Sequence, residues 1–191
     1  MEYFYNHDAH GIRQPYHKGL FFNRRLHIGA KYKKSHWFPD HYFSFNRMFW
    51  SAPVVVYSHT KSGYERDSRD IFATTIHELA HVSHWEIGYS TTQYLIDEID
   101  DDPFFPESWA TGVEHVLTNA FYPDAPGYDF PYGGNEQMRT LDWIQNESKG
   151  YTPIVIDMID NENQSDDNIL FPDDRVSGYT LGQLEDALPV R

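Results

Sequence analysis

The sequence predicts an α+β fold, on three observations. Two segments of the first sixty residues read as strands, the alternating Leu26–Tyr32 and the β-branched, more compact Pro53–Ser58. From Ser68 onward the apolar residues recur at helical spacing instead. A hydrophobic share of 40% and an aromatic share of 17% in 191 residues supply one core of ordinary domain size.

Taken in order, residues 1–25 are rich in aromatics, His and Arg without a clear period, and are expected to be irregular with room for one short strand. Leu26–Tyr32 alternates and reads as a strand. Ser35–Phe49 reads as loop and short strand; its His36 and His41 are five apart, a poor spacing for two ligands of one ion on either a helix or a strand. Pro53–Ser58 is a strand, and His59–Arg66 turns around Ser62 and Gly63. A helix then spans about 68 to 87, with Ile71, Thr75, Leu79 and Val82 as an apolar-leaning stripe. Asp67 or Ser68 caps it, Asp70 suits its first turn and Gly88 its end.

Tyr89–Pro106 is a connection in which Thr92–Ile99 can form a short helix. Glu107–Phe121 is a second strong helix, with Pro106 in its first turn and Trp109, Val113, Val116, Leu117 and Ala120 as its apolar face. Tyr122–Asn135 is a turn-rich loop, and Glu136–Glu147 reads as a helix. Thr152 and Pro153 open a short helix over Ile154–Asp160, and Thr180 caps a last amphipathic helix, Leu181–Leu188.

Composition narrows the function. The net charge of −14 is the wrong sign for a nucleic-acid surface, although residues 11–34 hold most of the basic side chains. There is no cysteine, which excludes disulfides, thiol catalysis and a thiolate metal site. No run of eighteen apolar residues offers a transmembrane helix, and the opening Met1–Asp8 does not read as a signal peptide. These observations leave the compartment and the oligomeric state open.

The chemistry concentrates in the first long helix. His77, Glu78, Leu79, Ala80 and His81 spell H-E-x-x-H. Residues four apart sit one turn above each other, so His77 and His81 can offer two imidazole nitrogens to one ion. Glu78 projects about 100° around the helix, where a carboxylate can take a proton from a water beside the ion. His84 is two turns from His77, about 10.5 Å along the axis, too far to share that ion easily. It is expected beside the ligands, against substrate, or simply as a buried polar residue.

Together with Glu107-Ser-Trp-Ala-Thr-Gly-Val-Glu114, this motif resembles the gluzincins, the zinc peptidases that include thermolysin-like proteases and zinc aminopeptidases. In several gluzincin groups the third ligand is a Glu on a later helix, in a pattern like E-G-[FW]-A-x-x-x-E; Ser108 stands here where Gly is usual. The stretch from about 54 to 118 is also similar to secreted zincin-like proteins of the Bacteroidetes type. A metzincin is not indicated, because His84 and Ile87 occupy the places of its Gly and third His. The resemblance implies a single zincin-like domain, with a small mixed sheet and the motif helix in an upper lobe, about 1–88, and a mostly helical lower lobe, about 89–191. It also implies a secreted, periplasmic or cell-surface location and a peptide or protein substrate. Zinc would be held by His77, His81 and Glu107, with Glu78 as general base. Val54–Tyr57 would be the edge strand on which an extended peptide pairs.

Glu107 and Glu114, seven apart, share a helix face but stand about 10.5 Å apart along the axis, so one ion cannot take both. Glu114 is expected to orient His81 or another ligand, or to form a salt bridge. The oxyanion donor is not identified; Tyr122, Tyr128, Tyr132 and Tyr151 are candidates. The leading expectation is therefore zinc-dependent peptide-bond hydrolysis. The alternative is a zinc-containing binding module without turnover, and a third reading is a structural domain without metal.

Overall fold

A computed structural model describes residues 9–15, 26, 28–31, 41–43, 54–57, 67–88, 104–123, 154–161 and 175–188. Its elements are strands β1 (Ile28–Lys31), β2 (His41–Phe43) and β3 (Val54–Tyr57), then helices α1 (Ser68–Gly88), α2 (Phe104–Phe121), α3 (Ile154–Ile159) and α4 (Leu181–Ala187). The sequence readings at Thr92–Ile99 and Glu136–Glu147, and most of the loop Tyr122–Asn135, lie outside the described residues.

The expected α+β, zincin-like architecture is corrected. The described structure is helical in bulk and in its core. The buried apolar side chains are Ala73, Ile76, Leu79, Ala80 and Val82 of α1, Trp109, Ala110, Val113 and Leu117 of α2, Val155 and Ile156 of α3, and Leu181 and Leu184 of α4; Ile12 and Leu188 flank them. The strands are three or four residues long and form one small sheet, in the order β1-β3-β2. The β-branched run Val54–Val56 reports a local backbone preference, whereas the mass of a fold follows where apolar area is buried, and here that is between helices. The edge-strand expectation falls as well: β3 is the central strand, parallel to β1 on one side and antiparallel to β2 on the other. Its backbone polar groups already have neighbours on both sides, which leaves no free edge for a peptide to extend.

α1 starts where a cap is available. The Asp67 carboxylate accepts the Asp70 N–H at 2.8 Å, and the Asp67 carbonyl accepts the Ile71 N–H at 3.1 Å. α2 begins one turn earlier than the sequence indicated, at Phe104; Pro106 still lies in the first turn, where its missing N–H costs nothing. Ala120, expected on the apolar face, is exposed.

The two long helices run antiparallel. Glu107 reaches His77 and His81, Glu114 reaches His77, and near the other end Phe72 of α1 stacks on Phe121 of α2 with centroids 4.7 Å apart. Their contact face buries Leu79, Ile76 and Val82 with Trp109 and Val113, side chains worth on the order of 1.5–3 kcal/mol each. α3 seats on α2 at Gly112, where a Cβ would lie 2.2 Å from Val155 Cγ1. α4 carries a full capping box: Thr180 Oγ1 accepts the Gln183 N–H at 3.2 Å, and Gln183 Oε1 accepts the Thr180 N–H at 2.9 Å.

The segment 11–13 crosses α4 and reaches α1. Gly11, at φ 70°, passes so close to Gly182 that a Cβ on the latter would stand 2.6 Å from the Gly11 carbonyl oxygen. The Arg13 N–H then donates to Glu185 at 2.7 Å, and Ser83 of α1 donates to the other oxygen of the same carboxylate at 3.1 Å. Burial pushes the Glu185 carboxyl up from its ordinary value, and these hydrogen bonds oppose it.

Candidate metal centre

One face of α1 and one of α2 carry buried polar residues instead of apolar ones. On α1 these are Thr74, His77, His81 and His84, all between 2% and 6% exposed. On α2 they include Glu107 and Glu114. The helical repeat gathers each set on one side of its helix, and antiparallel packing turns the two sides together.

Three atoms converge there. His77 Nε2 and His81 Nε2 are 3.1 Å apart, and Glu107 Oε2 lies 3.1 Å from the first and 3.3 Å from the second. Two imidazole nitrogens and a carboxylate oxygen aimed at one point form a group that can hold a metal ion, and it is buried apart from Glu107, whose side chain is 25% exposed. The spacing suits a small cation. A tetrahedral ion with bonds of about 2.0–2.1 Å sets its ligands roughly 3.3 Å apart. Of the three, only the Glu107 side chain is partly exposed, while the two histidines are buried.

Glu114 is not a fourth ligand. Its Oε2 accepts from His77 Nδ1 at 2.9 Å, on the ring atom away from the other two donors. That bond fixes the proton on Nδ1 and leaves the Nε2 lone pair for an ion, the usual arrangement of a ligand His held by a carboxylate. The sequence left Glu114 open between orienting His81, orienting another ligand, and a salt bridge; the structure places it on His77.

The electrostatics favour positive charge at this point. Burial works against a charged His77, but hydrogen bonds to Glu107 and Glu114, with the charges of Glu114 and Glu78, overcome it and raise its pKa to about 10. These surroundings thus favour the charged imidazole wherever no cation competes for Nε2. Burial alone would raise the Glu107 carboxyl, yet His81 and His77 hold it far below the ordinary range. Burial pushes Glu78 up, against the pull of His81 and His77; it senses both histidines and both other carboxylates, so it belongs to the same cluster. Burial and the neighbouring His81 lower His84 to about 4, so it is neutral at ordinary pH. It sits beside the group without joining it.

Among the oxyanion candidates, Tyr122 packs edge-on against Phe72 and Phe121 at the far end of α2, whereas Tyr128, Tyr132 and Tyr151 lie outside the described residues. The sequence reading missed the Arg13–Glu185–Ser83 cluster. Its signal was present: Leu181, Leu184, Glu185 and Leu188 share one helical stripe, and a carboxylate within an apolar stripe needs a buried partner. Among the described residues, no helix is long and apolar enough to cross a membrane.

Comparison with protein-family models, with curated proteins and with solved structures finds no match to this chain.

Proposed function

We propose that the chain is a zinc-dependent hydrolase of peptide bonds. The observation that carries this reading is the convergence of His77 Nε2, His81 Nε2 and Glu107 Oε2 within 3.1–3.3 Å of one another, beside the buried carboxylate of Glu78. Two histidines from H-E-x-x-H and a Glu from a later helix form a ligand set similar to that of the gluzincin-type peptidases. A neutral nitrogen and carboxylate donor set without thiolate suits zinc with an open position. Bound there, zinc would supply Lewis acidity to a substrate carbonyl and lower the pKa of a water.

The chain's own residues supply the remaining parts. Glu114 holds the His77 ring and its tautomer. Glu78 takes the proton of the attacking water and returns it to the departing amine, so it ends each cycle as it began. Substrate does not reach the site by extending β3, which is paired on both sides.

The test is metal analysis of the purified protein together with cleavage of a mixed peptide library, with and without a chelator. One zinc per chain and chelator-sensitive cleavage are expected. Zinc without cleavage leaves a metal-holding binding module, and protein that takes up no zinc removes the reading altogether.

A further inference from the structure

The polar face of α2 is longer than the metal group requires. At 100° per residue, Glu107, Thr111, Glu114 and Thr118 fall within an arc of about 60°, and they extend along roughly 16 Å of the helix. Thr111 and Thr118 are both 0% exposed. Their positions, three before and four after Glu114, make them its immediate neighbours on that face.

Neither hydroxyl has a hydrogen-bond partner among the described residues. The usual local solution for a helical threonine is its own helix, as Thr75 shows by donating to the Ile71 carbonyl at 2.6 Å. Thr111 and Thr118 do not take it. A hydroxyl shut away from water without a partner is costly, and valine has the same shape without that cost. Two such positions on either side of the carboxylate that grips His77 call for a further partner, and buried water is what ordinarily serves groups of this kind.

We propose that Thr111 and Thr118 hold ordered water against the Glu114 carboxylate, and that this water aligns Glu114 on His77 Nδ1. The threonines are positioning residues that act on the metal site only through Glu114. The inference deepens the metal-centre reading and rests on it for the readout in zinc affinity; the water itself is tested independently of zinc.

Thr111→Val, Thr118→Val and the matching Ser variants are compared by zinc competition against a chelator and by thermal unfolding of the metal-free protein. Each Val variant is expected to bind zinc about three- to ten-fold more weakly, a fraction of the roughly 10–100-fold typical when a carboxylate behind a ligand is lost. Each Ser variant stays within about two-fold of the parent. In a Glu114→Gln background the Val changes have no further effect on zinc. Metal-free Val variants melt below the parent because they lose the water's hydrogen bonds. The proposal is overturned if a Val variant binds zinc like the parent, if Ser fails to rescue, or if Val raises the melting temperature as expected for an unsatisfied hydroxyl removed from a dry core. If the parent itself takes up no zinc, the metal reading fails, while the direction of the melting shift still decides for or against the water.

Discussion

Removing Glu107 and removing Glu114 have different consequences, and the difference tests the whole site. Glu107 Oε2 closes a triangle with the two Nε2 atoms, whereas Glu114 meets His77 at the ring nitrogen that faces away from them. Zinc held by protein ligands is worth about 10–16 kcal/mol in small structural sites. Shared among three ligands, that is on the order of 3–5 kcal/mol each, or a hundred- to ten-thousand-fold in affinity. A carboxylate that orients a ligand is worth roughly 10–100-fold. Glu107→Ala should therefore weaken zinc more than Glu114→Ala does, by about ten- to a hundred-fold when like ends of the two ranges are compared. The assay is competition with a chromogenic chelator at fixed pH, with circular dichroism to establish that both variants fold. If Glu114→Ala strips the metal and Glu107→Ala keeps it, the ligand assignment is wrong.

Four further outcomes follow from the structure. Glu78→Gln should retain zinc while peptide hydrolysis falls by roughly two to four orders of magnitude, the scale of general-base catalysis; undiminished turnover would remove Glu78 from the mechanism. Zinc must displace the Nε2 proton of His77, whose pKa is raised to about 10, so affinity should climb about tenfold per pH unit between pH 7 and 9, where an ordinary His of pKa about 6.5 gives a flat line. In the metal-free protein that proton supports folding fully below pH 6.5, and the support is lost as pH rises through about 10, so the melting temperature should fall across this window. Gly112→Ala sets a helix-propensity gain of about 1 kcal/mol against a Cβ lying 2.2 and 2.4 Å from Val155 side-chain carbons. Overpacking of this kind costs about 1–3 kcal/mol, so the variant should melt lower, and a higher melting temperature would show that α3 is not seated on α2.

The parts of the site that one helix can specify were legible in the sequence. His77 and His81 share a face because of the helical repeat, Glu78 follows from its place between them, and the ends of α1 and α4 are written in Asp67 and Thr180. Glu107 came from resemblance to a known ligand pattern, and the structure brings its carboxylate to both histidines. Which histidine Glu114 would meet was not legible, since that depends on the register between two helices, and register is set by packing of Trp109, Val113, Ile76 and Leu79 rather than by any local spacing. The fold class failed for a related reason. Val54–Val56 advertises a strand to any local reading, but nothing in those residues says how little of the molecule the sheet would form.

The contact between Arg13 and Glu185 joins residues 172 positions apart. On a ribosome adding about 5–20 residues each second, Arg13 waits roughly 10–35 seconds before its partner has been made. During that interval Ser83, two residues beyond His81, lacks the acceptor that α4 brings. Closure of so long a span is a late event in assembly, since contacts distant in sequence form slowly. The motif helix is therefore complete in sequence well before α4, which covers its Ser83 side, has been synthesised.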